Sequence, residues 1–179
     1  MTSALLIIDV QRGLFDDEPR PFEADTVVQR INALSSRARL QGVPVFIIQH
    51  ERASGKLAYY SESWHLQRSL LTGPGDQLIR KTTPDSFLRT PLQEQLDALA
   101  VKHVVICGYA CEFCVDTTTR RAAALGYAVT LAADAHTTHD KDHATAAAIR
   151  AHENATLPDI GSFGPVIDAV PSALVAFVA

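Results

Sequence analysis

Residues 4–8 read Ala-Leu-Leu-Ile-Ile, five apolar positions in succession closed by a charge, Asp9. A strand with one wet face alternates apolar and polar residues, whereas an unbroken short run belongs to a strand covered on both faces. Parallel sheets flanked by helices meet that condition, and it restricts this chain more than any other feature. The first strand is read over Ala4–Val10, and comparable runs recur at 44–49, 78–80, 103–107, 128–132 and 166–170. Helical patterns separate them. Residues 25–41 place Val27, Ile31, Leu34 and Ala38 on one face, and Gly42 suits the stop. Pro91 opens a helix reaching Ala100 with Leu92, Leu96 and Leu99 inward. Two more helices are expected over 114–125 and 142–156.

This alternation predicts an α/β fold of three layers, Rossmann-like, with a mostly parallel central sheet of about six strands and helices on both faces. No repeat, low-complexity tract or linker interrupts it, so residues 1–179 are read as one domain. Residues 51–76 hold no clear element beyond a short helix at 65–71, and so long a connection is read as a binding loop. In such sheets the site lies beyond the carboxyl ends of the strands, where the strand order reverses.

A formal charge of −4 and scattered basic residues give no concentrated cationic face, which excludes nucleic acid as a partner. The apolar runs are strand-sized, so no membrane role is expected. The chain enters a strand at once, without the segments of a secretory signal, and a cytoplasmic location is expected. Three cysteines crowded between 107 and 114 cannot frame the disulfides of a domain this size, and a reduced compartment suits them better.

Three polar residues fall at strand ends or just beyond: Asp9, Lys81 and Cys114. Cys114 is read at or near a helix start, where unpaired amides favour a thiolate and could hold an oxyanion. It reads equally well as a small apolar residue in the first turn of a core helix. Asp9 is a general base for that thiol or simply a turn-capping carboxylate. Lys81 is a solvated surface lysine or, placed between the other two, a cation stabilising both anions.

The segments Leu5-Leu-Ile-Ile-Asp-Val-Gln11, Lys81-Thr-Thr-Pro-Asp-Ser-Phe-Leu-Arg-Thr-Pro-Leu92 and Gly108-Tyr-Ala-Cys-Glu-Phe-Cys-Val115 resemble, in order, three signature segments of isochorismatase-like cysteine hydrolases. Thr118, Gly126 and Asp134-Ala135 continue the pattern. The resemblance implies a catalytic Asp9–Lys81–Cys114 triad, a cis Tyr109–Ala110 peptide, and an oxyanion hole from the amides of Ala110 and Cys114. It also implies a homodimer or larger homo-oligomer acting on a small-molecule substrate, with no cofactor. Two departures stand out. Cys111 occupies a position where many relatives carry threonine or another small polar residue. Gln49-His50-Glu51 lacks the aspartate of the Asp-x-His motif of metal-binding nicotinamidases. True isochorismatases lack the nucleophilic cysteine, so Cys114 points to amide-type chemistry.

Gln11, Phe15, Trp64, Tyr109 and Phe113 are candidate substrate contacts, each also explicable as a core or loop anchor. His136, His139 and His143 suggest a metal cluster with Cys111 and Cys114, but they lack a familiar finger spacing, and no metal is expected. The function read from these residues is hydrolysis of a C–N bond in a small amide, ureido or lactam compound through a thioester at Cys114. A thiol–disulfide oxidoreductase using Cys111 and Cys114 is the alternative, and a zinc-stabilised binding scaffold a third.

Overall fold

The computed structural model describes residues 2–178. Its sheet contains β1 Thr2–Ile8, β2 Val45–His50, β3 Gln77–Lys81, β4 Val101–Tyr109, β5 Ala128–Thr137 and β6 Ile167–Val170. The spatial order is β3-β2-β1-β4-β5-β6, and every neighbouring pair is parallel. The α-helices are α1 Arg12–Phe15, α2 Ala24–Leu40, α3 Leu92–Ala98, α4 Asp116–Ala124 and α5 Ala146–Thr156. A π-helical turn, Cys111–Val115, runs directly into α4.

The apolar run in β1 is divided between two cores by the two-residue period of a strand. Leu5 and Ile7 pack with Val27, Ile31 and Leu34 of α2, while Leu6 and Ile8 pack with Leu92 and Leu96 of α3 and Ala122 of α4. These β1 residues are completely buried, and each contributes roughly 1.5–3 kcal/mol relative to an exposed side chain. The centre of the sheet is therefore a rigid base for whatever its strand ends carry.

From β1 the chain steps outward to β2 and β3, then crosses back to lay β4 on the other side of β1. At that reversal a crevice opens beyond the carboxyl ends of β1 and β4. The two strands meet closely there. Gly108 has φ +117°, and a Cβ on it would stand 2.1 Å from the Ile8 carbonyl oxygen, so only glycine fits.

Several departures from the sequence expectations bear on the crevice. Residues 65–71 form no helix; Gln67 instead ties this stretch back, its amide donating to the Val10 carbonyl at 3.0 Å and its Nε2 to Asp16 Oδ1 at 3.0 Å. Leu99 is 41% exposed, because α3 ends at Ala98. α5 starts at Ala146 and not at 142, where the Thr145 hydroxyl accepts the Ala148 amide at 3.2 Å. β5 continues to Thr137, which puts His136 inside a strand and fully buried, not in a loop.

Candidate active site

Parallel strands end on the same edge, and this edge gathers the charged groups. Beyond β1, Asp9 turns into the left-handed region with φ +53°, a conformation that costs about 1–2 kcal/mol for a residue with a side chain. β3 ends on Lys81, which is in register with His50 at the end of β2. β4 delivers the turn that carries Cys114. The loop after Lys81 is fastened to α4, where the buried Ser86 and Thr118 hydroxyls lie 2.8 Å apart.

The Lys81 ammonium sits at the centre. Its Nζ donates to Asp9 Oδ2 at 2.7 Å, Cys114 Sγ at 3.2 Å and the Thr83 carbonyl at 3.2 Å, and lies 3.3 Å from His50 Nδ1. An ammonium has three protons, so four acceptors saturate it. Asp9 and Lys81 are 1% and 2% exposed, and a charge pair so dry is retained only if every partner is in place. Asp9 Oδ1 is buried without a hydrogen-bond partner, which leaves it open to take a proton.

Burial disfavours the ammonium, but the Asp9 carboxylate, with the hydrogen-bonded Cys114 sulfur, outweighs it and holds the Lys81 pKa above the ordinary lysine value. The Cys114 thiol is pushed up to about 12 by burial and by the Asp9 carboxylate, with Lys81 opposing them. The expected thiolate bias at a helix start is therefore overturned. Cys114 lies inside the π-helical turn, not at the first turn of α4, and rests as a neutral thiol that a base must deprotonate. His50 is held below the usual histidine range by burial and by the Lys81 charge, so it is neutral at pH 7.

The other cysteine of the pair faces elsewhere. Cys111 Sγ lies 3.0 Å from Nδ1 of His136, whose Nε2 is 2.9 Å from Asn154 Oδ1 on α5. Asn154 Nδ2 in turn donates to the Ala133 carbonyl at 2.8 Å. His139 bonds the Tyr109 hydroxyl at 2.8 Å, and His143 is exposed, so these three histidines do not converge.

The Tyr109–Ala110 peptide is cis. Among the described residues the Ala110 amide has no hydrogen-bond partner, and Ala110 borders the same cavity as Cys114. That cavity, about 280 Å³, is lined by Asp9, His50, Arg52, Tyr109, Phe113 and Cys114, with Leu14, Leu57 and Pro84 supplying apolar wall.

Tyr109 and Phe113 thus reach the cavity, but three of the other candidate contacts do not. Gln11 is fully buried, its Nε2 donating to the His50 and Trp64 carbonyls at 3.0 and 2.8 Å and its Oε1 accepting the His50 amide at 2.9 Å. It is a backbone splice. Phe15 is also fully buried, edge-on to Tyr109 at 5.9 Å, because α1 turns it into the core. Trp64 borders a separate groove with Tyr59, Tyr60 and Arg80. His50, Arg52, Leu14, Leu57 and Pro84 were not among the sequence candidates. For His50 a signal existed: it closes β2, between the strand ends that carry Asp9 and Lys81.

Among the described residues one group has metal-ligand spacing, Asp9, His50 and Cys114, with ligand atoms all within 4.8 Å. The Lys81 ammonium already contacts all three, and a second cation there would meet its charge. Gln49, at the position of the missing aspartate, turns its Nε2 to the Trp64 carbonyl at 3.0 Å. These residues do not fit a divalent metal.

The isochorismatase domain family matches residues 3–169. Streptothricin hydrolase of Streptomyces noursei is 38% identical over 138 residues, 76% of this chain and 50% of that protein. The chain thus spans about half the length of that relative. Nicotinamidase 3 of Arabidopsis thaliana is 29% identical over 156 residues, 78% of this chain and 75% of its own. A crystal structure of an isochorismatase family protein superposes with a TM-score of 0.84 at 34% identity, covering 94% of this chain and 97% of the other. The chain belongs to the isochorismatase family.

Proposed function

We propose that this protein is a cysteine hydrolase that cleaves a C–N bond in a small amide, ureido or lactam substrate through a thioester at Cys114. The observation that carries this reading is the single ammonium of Lys81 in contact with both the Asp9 carboxylate and the Cys114 sulfur. Asp9 takes the thiol proton as the sulfur adds to the substrate carbonyl. Lys81 offsets the single negative charge as it passes from the carboxylate to the sulfur, and the amides of Ala110 and Cys114 receive it as the oxyanion. On collapse of the tetrahedral adduct the C–N bond breaks, and Asp9 returns its proton to the leaving nitrogen. Asp9 then deprotonates a water, which adds to the thioester. The departing sulfur recovers the proton, and the acid is released.

The catalytic assignments are thus Asp9, Lys81 and Cys114, with Tyr109 and Phe113 as substrate walls. A relative named for its action on nicotinamide supports amide chemistry. Three free cysteines suit a reducing cytoplasm, and the family resemblance supports a homo-oligomer. An ammonia-release screen across small amides, run in parallel on Cys114→Ala, tests the reading. Release that needs Cys114 supports it, and release that survives in the variant ends it.

A further inference from the structure

Besides the Ala110 amide proposed for the oxyanion, the cavity beside Cys114 holds two side-chain donors that the protein itself leaves unused. Arg52 borders it from the loop after β2, and among the described residues its guanidinium has neither a hydrogen bond nor an ion pair. The adjacent carboxylate cannot neutralise it, because Glu51 is engaged by Arg80 at 2.7 and 3.0 Å. The second donor is His50. Its Nδ1 faces the Lys81 ammonium at 3.3 Å and so acts as acceptor, which leaves the proton on Nε2, and Nε2 has no partner among the described residues.

Against these donors the cavity sets one carboxylate, Asp9, and that charge is balanced by Lys81. The cavity therefore carries one uncompensated positive charge, at its Arg52 side. Leu14, Leu57, Pro84 and Phe113 offer nothing to a polar group, and the Tyr109 hydroxyl is engaged by His139. A guanidinium beside an N–H donor matches the paired oxygens of a carboxylate. A cavity of about 280 Å³ limits the ligand to a small molecule.

We propose that Arg52 and the His50 Nε2–H form an anion subsite, and that the substrate is a small amide bearing a carboxylate, its apolar body against Leu14, Leu57 and Phe113. The substrate class rests on the hydrolase reading, but the subsite itself does not, and the two are separable by experiment.

Protection of Cys114 from iodoacetamide, followed by peptide mass, reads binding without turnover. The probes are succinamate and glutaramate against their neutral diamides, succinamide and glutaramide. In the native protein the amido-carboxylates should protect at about tenfold lower concentration than the diamides, and in Arg52→Gln the ratio should fall to about twofold or less. Raised salt should shrink the native preference, since the guanidinium is exposed. No protection by either set, equal protection by both, or a preference that survives in Arg52→Gln overturns the subsite. Carboxylate-dependent protection without release of ammonia from these probes leaves the subsite standing and removes the substrate class that rests on the hydrolase reading.

Discussion

Cys111 Sγ lies 3.0 Å from His136 Nδ1, so the two sulfurs of the Cys-x-x-Cys segment are committed to different neighbours. Cys111 is anchored toward β5 and α5, while Cys114 faces Lys81. An oxidoreductase needs the two to meet, and a hydrolase needs only the second.

The division of labour sets the first prediction. Cys111→Ser keeps a hydroxyl that can donate to His136, and amide turnover should stay within about threefold of native. Cys114→Ala should lower turnover by about 10³-fold or more, as loss of a nucleophile does elsewhere. Equal losses in the two variants, together with disulfide-reductase activity in the native protein, would favour the redox alternative.

A second prediction concerns acid stability. Burial holds the His136 pKa down to about 4 against 6.5 for a free imidazole. A group with a depressed folded pKa contributes stability above its unfolded value and loses it as pH falls toward the folded one. Between pH 6.5 and 4 the native protein should therefore lose about 3 kcal/mol through this residue, at roughly 1.4 kcal/mol per unit. In His136→Gln that component should vanish, as measured by urea unfolding across the range. Unchanged pH dependence in the variant would show that His136 is protonated without penalty.

The buried ion pair supplies a third. Lys81→Met strands the Asp9 charge in an apolar setting and should cost about 3–5 kcal/mol of folding stability. Asp9→Asn combined with Lys81→Met removes both charges and should cost clearly less than the sum of the single changes. A double-mutant cycle by chemical denaturation measures the coupling. Strict additivity would mean that the pair is not held as described.

A fourth rests on backbone contact. Gly108→Ala would drive a methyl group to 2.1 Å from the Ile8 carbonyl oxygen at a φ of +117°. A shift of β4 against β1 must follow, with a loss of more than about 3 kcal/mol. Gly126→Ala is the control: φ there is also positive, but nothing lies within 4 Å, so only the backbone penalty of about 1–2 kcal/mol applies. Thermal unfolding of the two variants should rank them in that order.

What the sequence makes legible follows from which forces are local. Continuous burial of Ala4–Ile8 and the one-sided face of Val27, Ile31 and Leu34 are written in the order of residues, and from them came the parallel sheet and its covering helices. The chemistry of Asp9, Lys81 and Cys114 was suggested by their positions at strand ends, and parallel strands necessarily bring their carboxyl ends to one edge. Residues 133–137 escaped as strand because Asp134 and His136 look soluble. His136 is buried and Asp134 half-buried through partners far away in sequence, Asn154 beside His136 and the Ser172 amide at 2.6 Å from Asp134 Oδ1. Gln11 misled for a similar reason. A glutamine two residues past Asp9 looks like a pocket group, and only the folded loop reveals that its amide is spent on His50 and Trp64. Arg52 stayed hidden because nothing local distinguishes an unpaired arginine from one that is paired.

The central claim is that Cys114 carries the acyl group during turnover. Rapid quenching of the enzyme at saturating amide, followed by intact mass and peptide mapping, tests it most directly. We expect a mass increase equal to the acyl portion of the substrate, located on the peptide containing Cys114 and absent from Cys114→Ala. Turnover with no adduct on that peptide, paired with activity retained in Cys114→Ala, would contradict it.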